Sequence, residues 1–207
     1  NSIASGGNYN TVVGDEAGTA INTGDNNVAV GYSSGKAMDT GVSNVLVGSS
    51  AGTVLTDANY NTAVGAAALA SDVEGNYSTA IGYAALNTQN VADGVNTYNT
   101  AVGALAGLAV TTGVSNTFVG GLAGDAAQTN SFSTLVGAST DCSDTSSNNC
   151  NGFGYAISAV TGYTTIGIGT SDIRAEHGVA TWATVSDQRY KKDIVDSTAG
   201  LSFINAL

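Results

Sequence analysis

The segment near the carboxyl end of the sequence contains two side chains that could carry nucleophilic chemistry, Ser186 and Lys191. A serine hydroxyl is a weak nucleophile and needs a base. Lysine can act as that base if burial lowers the pKa of its ammonium group, and positive charge on Arg189 and Lys192 would lower that pKa further. A second interpretation needs no chemistry, because Ser186 and Asp187 are residue types that cap the start of a following element. On the residues alone, we favour this second interpretation.

Other residues with catalytic or ligand-binding side chains lack the partners that such sites require. Ser33 and Ser50 each lie in a Gly-x-Ser-x-Gly sequence, but the chain has a single histidine, His177, and no surrounding hydrolase pattern. His177 has no second histidine at ligand spacing, so we expect it at the surface or at a subunit contact. Asp141 and Asp144 could hold calcium, although their spacing favours a solvated loop. We therefore expect no cofactor and no metal.

The chain has two cysteines, Cys142 and Cys150, which flank a short polar loop. This loop could close as a disulfide, which would suit an extracellular compartment. Two free thiols fit the sequence about equally well. The pair is therefore a disulfide candidate that the sequence leaves open.

The dominant feature of the sequence is a five-residue motif that occurs eight times. It reads Asn-Thr-Ala-Val-Gly at residues 61–65 and 99–103 and varies little elsewhere. Its final glycines, called anchor glycines here, are 17 residues apart except for one step of 21. They are Gly14, Gly31, Gly48, Gly65, Gly82, Gly103, Gly120 and Gly137. A unit this short cannot bury a core alone, so copies must stack. Nine stacked rungs, counting a degenerate one at Gly154, predict a rod of about 40–45 Å.

Each motif is typical of a short strand that ends at the anchor glycine. Its last strand residue is valine or isoleucine, the residue two earlier is threonine or valine, and the residue between them is apolar. Because side chains alternate between the faces of a strand, both faces are at least partly apolar. One face can fill the inside of the coil, and the other then needs a partner surface, most simply a neighbouring subunit. The anchor glycine predicts a turn with positive φ or a close backbone approach.

Two further columns of residues follow from the repeat. Stacked asparagines are expected to form a hydrogen-bonded ladder of amides along the axis; they are Asn10, Asn27, Asn44, Asn61, Asn99 and Asn116. Aromatic residues recur one position before the motif, as Tyr9, Tyr60, Tyr77, Tyr98 and Phe132. Such an aromatic stripe could bind sugars, although packing along a solenoid face is its more common role.

The charge is distributed unevenly along the chain. Residues 1–173 contain 12 acidic side chains and one basic one, Lys36, for a net charge of −11, whereas residues 174–207 contain four of each. An acidic field repels phosphate backbones and anionic bilayers, so we expect no nucleic-acid partner. No run of 18 apolar residues occurs, so we expect no membrane insertion.

The motif at residues 61–65 and its copies resemble the head repeats of trimeric autotransporter adhesins and the shaft repeats of phage tail fibres. The likeness covers about residues 8–157. It implies an all-β fold, a parallel β-solenoid or β-roll of 17-residue repeats, as an intertwined or side-by-side homotrimer.

The carboxy-terminal segment closely resembles the start of the intramolecular chaperone domain of endosialidases and phage tail fibres. The matching pattern is Ser186-Asp187-x-Arg189-x-Lys191, Asp193-Ile194 and Gly200-Leu201-x-Phe203-Ile204. In that family the domain drives trimer assembly and then cuts itself off. The resemblance implies that Ser186 is the nucleophile and Lys191 its base, with Asp187 and Arg189 as supporting residues. We expect scission between Val185 and Ser186, with the Ser186–Asp187 bond as second choice, and no external substrate.

These observations predict three segments and one leading function. The segments are a repeat shaft at 1–157, a junction or cap at 158–185 and the start of the chaperone domain at 186–207. The function is that of an extracellular virion tail fibre that binds a host cell-surface receptor, with a glycan as one candidate. The alternatives are a bacterial trimeric surface adhesin, a polysaccharide-degrading tailspike and an ice-binding solenoid with a threonine ladder.

Overall fold

The computed structural model describes residues 6–92 and 94–179 and the backbone of 182–184. Within these residues the chain is all-β, and parallel strands stack into a β-solenoid of about nine turns, which confirms the predicted fold class. Each of the eight motifs forms one three-residue strand. The strands are β1 (Thr11–Val13), β2 (Val28–Val30), β3 (Val45–Val47), β4 (Thr62–Val64), β5 (Thr79–Ile81), β6 (Thr100–Val102), β7 (Thr117–Val119) and β8 (Thr134–Val136).

Each strand pairs in parallel with the strand one repeat later, with equivalent residues opposite each other. Thr62 pairs with Thr79 across a step of 17 residues, and Thr79 pairs with Thr100 across the step of 21. The longer unit therefore keeps the register, and its additional residues are accommodated between the strands, where Asn76 and Asn96 form an isolated bridge.

The middle residue of each strand faces the interior of the coil. From β2 to β8 this inner column is fully buried; it consists of Ala29, Leu46, Ala63, Ala80, Ala101, Phe118 and Leu135. The opposite wall is formed by buried residues of the turns and loops, which include Ile21, Met38, Leu55 and Val110. The solenoid thus has one continuous hydrophobic core along its axis, as stacking of units without cores of their own requires.

In the rungs of Leu46, Ala63, Ala80 and Phe118, large and small side chains complement each other between the inner column and the position four residues after the anchor glycine. Where the inner residue is Phe118, that position is Gly124, and a Cβ added there would lie only 2.6 Å from Phe118 Cδ1. Where the inner residues are Ala63 and Ala80, the same position holds a leucine, and both leucines are fully buried. The glycines at this position therefore make room for large side chains.

The stacked asparagines are buried and bond mainly to the backbone rather than to each other. Asn61 Oδ1 accepts a hydrogen bond from the backbone N–H of Ser78, one rung on, at 2.8 Å. Its Nδ2 donates to Gly75 O at 2.7 Å. The same pair of bonds recurs along the column, and a direct amide–amide bond accompanies it at Asn44 and Asn27. The predicted ladder exists, but the side-chain amides satisfy backbone groups inside the coil, where an unpaired group would be costly.

The anchor glycines combine both features that the sequence left as alternatives. Gly48 has φ of +134°, and a Cβ there would lie 2.5 Å from the carbonyl oxygen of Gly65 in the next rung. Left-handed backbone and close approach both disfavour a side chain. Any larger residue at this position would therefore force the rungs apart.

The strand direction reverses near the carboxyl end of the described chain. Two short strands, β9 (Asp141–Cys142) and β11 (Ser158–Ala159), form a second, parallel sheet. The main sheet continues in parallel through β10 (Asn151–Tyr155) and β12 (Tyr163–Ile168). The last two strands are β13 (Ser171–Glu176) and β14 (Trp182–Thr184). Strand β13 pairs in antiparallel fashion with both β12 and β14. The run of identical steps ends before this reversal, because Asn151 of β10 already pairs with Thr164 of β12 across a shorter step, and the predicted boundary at residue 157 lies between these two strands.

Candidate functional site: the outer strand face and its aromatic margin

The residues predicted for self-cleavage lie outside the described residues. They are Val185, Ser186, Asp187, Arg189 and Lys191. Their assignment as nucleophile, base, supporting residues and scission point stays a prediction from the resemblance. The surfaces that the structure does describe belong to the solenoid.

The first and third residues of each strand point outward and form two parallel columns, here called the outer strand face. The third residue is valine or isoleucine in all eight rungs, and Ile81 and Val119 are 39% and 37% exposed. The first residue is threonine in every rung except those of Val28 and Val45. A stripe of half-exposed β-branched side chains therefore runs the length of the solenoid, and no other part of the described chain covers it.

Charge is absent from the band that contains this face. The band consists of eight-residue windows that each begin five residues before a glycine and end two after it, for the anchor glycines from Gly31 to Gly137 and for Gly154. The first rung, which has Asp15 and Glu16 at the end of its window, lies outside the band. From residue 26 to residue 156, eight successive windows contain no Asp, Glu, Lys or Arg. Every described acidic residue in that range lies outside these windows. Such segregation does not follow from solubility, which favours charge spread over the whole surface.

The loop side of the solenoid carries the charges. The first rung is an exception, because Glu16 takes the last position of its window and forms a salt bridge with Lys36 at 2.8 Å. This contact lowers the pKa of Glu16 and raises that of Lys36, chiefly through the hydrogen bond between the two groups. Both groups are well exposed, so the pair adds little stability.

One margin of the band carries an aromatic column at the position five residues before the anchor glycine. Tyr60, Tyr77 and Tyr98 stack in consecutive rungs, with ring centroids 4.9 Å and 5.3 Å apart. Tyr9 and Phe132 occupy equivalent positions in other rungs and are 85% and 58% exposed. The rings therefore stack on each other, as predicted for packing along a solenoid face, while their edges remain in solvent.

The two cysteines adjoin each other at the end of the regular repeats. Both are free thiols in the structure, and Cys150 takes the place that asparagine holds in the ladder, so its N–H donates to Ser133 Oγ at 3.2 Å. A hydrogen bond with Cys142 lowers the pKa of the Cys150 thiol to about 7. The same contact, together with burial, raises the pKa of Cys142. Of the two states that the sequence left open, the structure thus has the free thiols, and the disulfide candidate has its partners side by side.

A pair of carboxyl groups lies close to the cysteines, and the sequence analysis missed it. Burial raises the pKa of Asp141 to about 7, and a hydrogen bond with Asp125 acts in the same direction. The Asp141 carboxyl also accepts bonds from the N–H groups of Ala126 at 3.0 Å and Cys142 at 3.1 Å. The two aspartates belong to adjacent rungs, so the repeat spacing is the signal that could have brought them together.

A buried polar network marks the 21-residue step and was also missed. Gln89 donates to the buried carboxylate of Asp72 and to Ser78 Oγ, and it accepts a bond from Asn99. Burial raises the pKa of Asp72. Ser78 interrupts the asparagine column here, and Gln89 bridges the gap. The lengthened unit and the missing asparagine were the available signals for a special rung.

The remaining predicted sites show no catalytic arrangement in the described part. Ser33 Oγ donates to Glu16 at 2.8 Å. His177 Nε2 lies 3.2 Å from both Asn151 Nδ2 and Thr164 Oγ1. Among the described residues, no three His, Cys, Asp or Glu side chains come together as a metal site. No helix there is long and apolar enough to cross a bilayer.

Comparison with known proteins assigns no family to this architecture. No protein-family profile matches the chain, and neither a curated protein nor a solved structure gives a significant match to it.

Proposed function

We propose that the chain is the shaft of a structural fibre, of the virion tail-fibre type, whose copies associate side by side through the outer strand face. The single observation that supports this most strongly is the charge-free band over eight rungs of an otherwise acidic rod. Depletion of charge is the compositional mark of an interface core. Large contiguous apolar stripes on soluble proteins mark surfaces that bind partners.

A second copy of the same chain is the occupant that fits the band best. The band repeats every 17 residues, so its partner must present matching features at the same interval along its whole length, and an in-register copy does so. The flat threonine and valine columns suit packing of one solenoid against another. We propose a homotrimer, following the resemblance to trimeric adhesin and tail-fibre repeats.

In-register assembly of identical rungs raises a problem that the carboxy-terminal segment would solve. Copies displaced by one repeat make similar local contacts, so the register between chains is weakly specified by the shaft alone. A trimerising chaperone domain would set it. The Val185–Ser186 peptide bond would then be hydrolysed, with water as co-reactant, to give a carboxylate and an amine. Loss of the chaperone domain would raise the barrier to dissociation and leave a kinetically stable fibre.

The lateral interface can be tested with one pair of matched substitutions. Val119 on the outer strand face and Val54 on the loop side are both 37% exposed. Val119→Asp is expected to dissociate or weaken the trimer because it places a charge in the interface, while Val54→Asp leaves the trimer intact. Multi-angle light scattering gives the masses, with three times the 20.4 kDa chain mass expected for the unaltered protein. A monomeric mass for the unaltered protein would contradict the proposal.

The self-cleavage assignment has an independent test. Intact-mass spectrometry of the protein produced from its complete reading frame is expected to show scission next to Ser186. Ser186→Ala and Lys191→Ala should leave the chain whole, because one removes the nucleophile and the other its base. Ser202→Ala is the matched control in the same segment and should cleave normally. Cleavage of the Ser186→Ala protein at the normal rate would rule out the dyad.

A further inference from the structure

The aromatic column occupies a backbone position that does not suit aromatic residues. In all nine rungs the residue five before the anchor glycine has positive φ, between 49° and 61°. Asparagine tolerates this left-handed conformation well, whereas bulky residues rarely adopt it. Asn26 and Asn149 are the kind of residue the turn favours, yet Tyr60, Tyr77 and Tyr98 occupy it in consecutive rungs. Strain of this kind points to a role for the side chains beyond the turn.

The stack ends at Tyr98, and this creates a slot. The next rung has Ser115 in place of an aromatic residue, and the rung after that has Phe132. Because rungs repeat at about 4.8 Å, Tyr98 and Phe132 are about 10 Å apart along the axis. Both are more than half exposed, while Ser115 between them is half-buried. The backbone therefore sets two aromatic residues on either side of a serine floor.

The width of this slot fits one ring. Carbon atoms in contact are about 3.5–4.0 Å apart, so a flat ring between two walls needs about 7–8 Å. A puckered pyranose ring is thicker than a flat one and takes up the remaining space. Its C–H groups can pack on the aromatic faces, which carry partial negative charge.

The surroundings of the slot are polar but uncharged. Ser115 Oγ has no hydrogen-bond partner among the described residues, and Tyr98 OH accepts a bond from Asn96 at 3.3 Å. Ser131, next to Phe132 in the sequence, adds a hydroxyl group that accepts a hydrogen bond from the N–H of Val114 at 3.0 Å. No acidic group stands in the band to attract a cation, and the net charge of −11 opposes phosphate-bearing ligands such as nucleotides.

We propose that the slot between Tyr98 and Phe132, with Ser115 as its floor, binds one ring of a neutral glycan. The tyrosine stack from Tyr60 to Tyr98 forms a rigid wall, and Ser115 Oγ supplies a hydrogen bond to a ring hydroxyl. This inference deepens the attachment role of the proposed fibre and rests on it for its biological meaning. The site lies at the margin of the outer strand face, so glycan and neighbouring chain occupy different columns.

The test fills the slot by enlarging its floor residue and leaves both aromatic walls in place. Ser115→Tyr would complete the aromatic column and exclude a sugar ring. Ser43→Tyr makes the same change at the equivalent position of another rung, where φ is also 58°, and leaves the slot open. Saturation-transfer NMR with a panel of neutral hexose and N-acetylhexosamine oligosaccharides would detect binding, and titration calorimetry would measure it. An oligogalacturonate and choline serve as the anionic and cationic probes.

We expect at least one neutral oligosaccharide to bind with about millimolar affinity. Ser115→Tyr should abolish that binding, Phe132→Ser should weaken it about tenfold, and Ser43→Tyr should leave it unchanged. Absence of binding to the whole neutral panel at about 10 mM, equal binding by the Ser115→Tyr protein, or binding of the charged probes alone would overturn the proposal. Light scattering on the same samples distinguishes this failure from failure of the fibre proposal, because assembly does not require the slot.

Discussion

The two faces of the same short strands differ in what they keep constant. Along the inner column the residue size changes from Ala63 to Phe118, but every member is apolar and buried. Along the outer strand face the residue types hardly change, yet the side chains remain half exposed. A varied inner face is explained by local compensation within one chain. A constant outer face has no partner inside the chain, and the simplest reason for its constancy is a partner with the same repeat.

The largest effect is expected from substitutions that disturb the matching of side-chain sizes on the inner face. Leu69→Gly should cost about 2–5 kcal/mol by opening a cavity, and Ala63→Leu about 1–3 kcal/mol by overpacking. Because Leu69 belongs to the rung whose inner residue is Ala63, the double substitution recreates the Leu46 and Gly52 arrangement. Its cost should therefore be about 1–3 kcal/mol below the sum of the single costs. Urea denaturation measures all three, and strict additivity would contradict the packing account.

A somewhat smaller loss of stability is expected from substitution in the buried asparagine ladder. Asn61→Ala leaves the N–H of Ser78 and the carbonyl of Gly75 without their partners. Two orphaned buried backbone groups should lower the free energy of unfolding by about 2–4 kcal/mol. Asn96→Ala, on the exposed side, is the control and should change it by less than about 0.5 kcal/mol. Similar losses in both proteins would show that the ladder has no special role.

The sequence predicted the repetitive part of this fold well and its exceptions poorly. Valine before an anchor glycine at constant spacing was enough for the strands, their parallel stacking and the buried asparagines. The Asp72 and Gln89 contact joins equivalent positions of adjacent rungs, 17 residues apart, and was missed because the motif does not cover the column seven residues after the anchor glycine. The Asp125 and Asp141 pair lies in variable loops of adjacent rungs, where the repeat spacing indicates proximity but does not determine side-chain directions. The antiparallel reversal at β13 likewise carries no repeated signal.

Burial of Asp141 should make the stability of the fold depend on pH. Asp141 has its pKa raised from 3.8 to about 7, chiefly by burial, so the folded chain binds a proton that the unfolded chain has released between these values. The free energy of unfolding should therefore decrease as pH rises from about 4 to about 7. Burial of Asp72 acts in the same direction. Thermal denaturation across this range should show a higher midpoint at the acidic end.

Substitution separates this contribution from the rest of the charge. Asp141→Asn should flatten the decline, because the replacement keeps the shape and removes the titration. Asp144→Asn is the matched control, since hydrogen bonds from Ser146 lower the pKa of that carboxyl and its contribution has the opposite sign. An unchanged slope in the Asp141→Asn protein would contradict the assignment.

The central claim is that the outer strand face is covered by copies of the chain. The most direct measurement is the rate of maleimide labelling after Val119→Cys or Val54→Cys, each in a background where Cys142→Ser and Cys150→Ser remove the native thiols. The two valines are equally exposed in a single chain, so any difference in rate reports on assembly. The account predicts strong protection after Val119→Cys and rapid labelling after Val54→Cys. Equal rates at concentrations where the protein is assembled would contradict it.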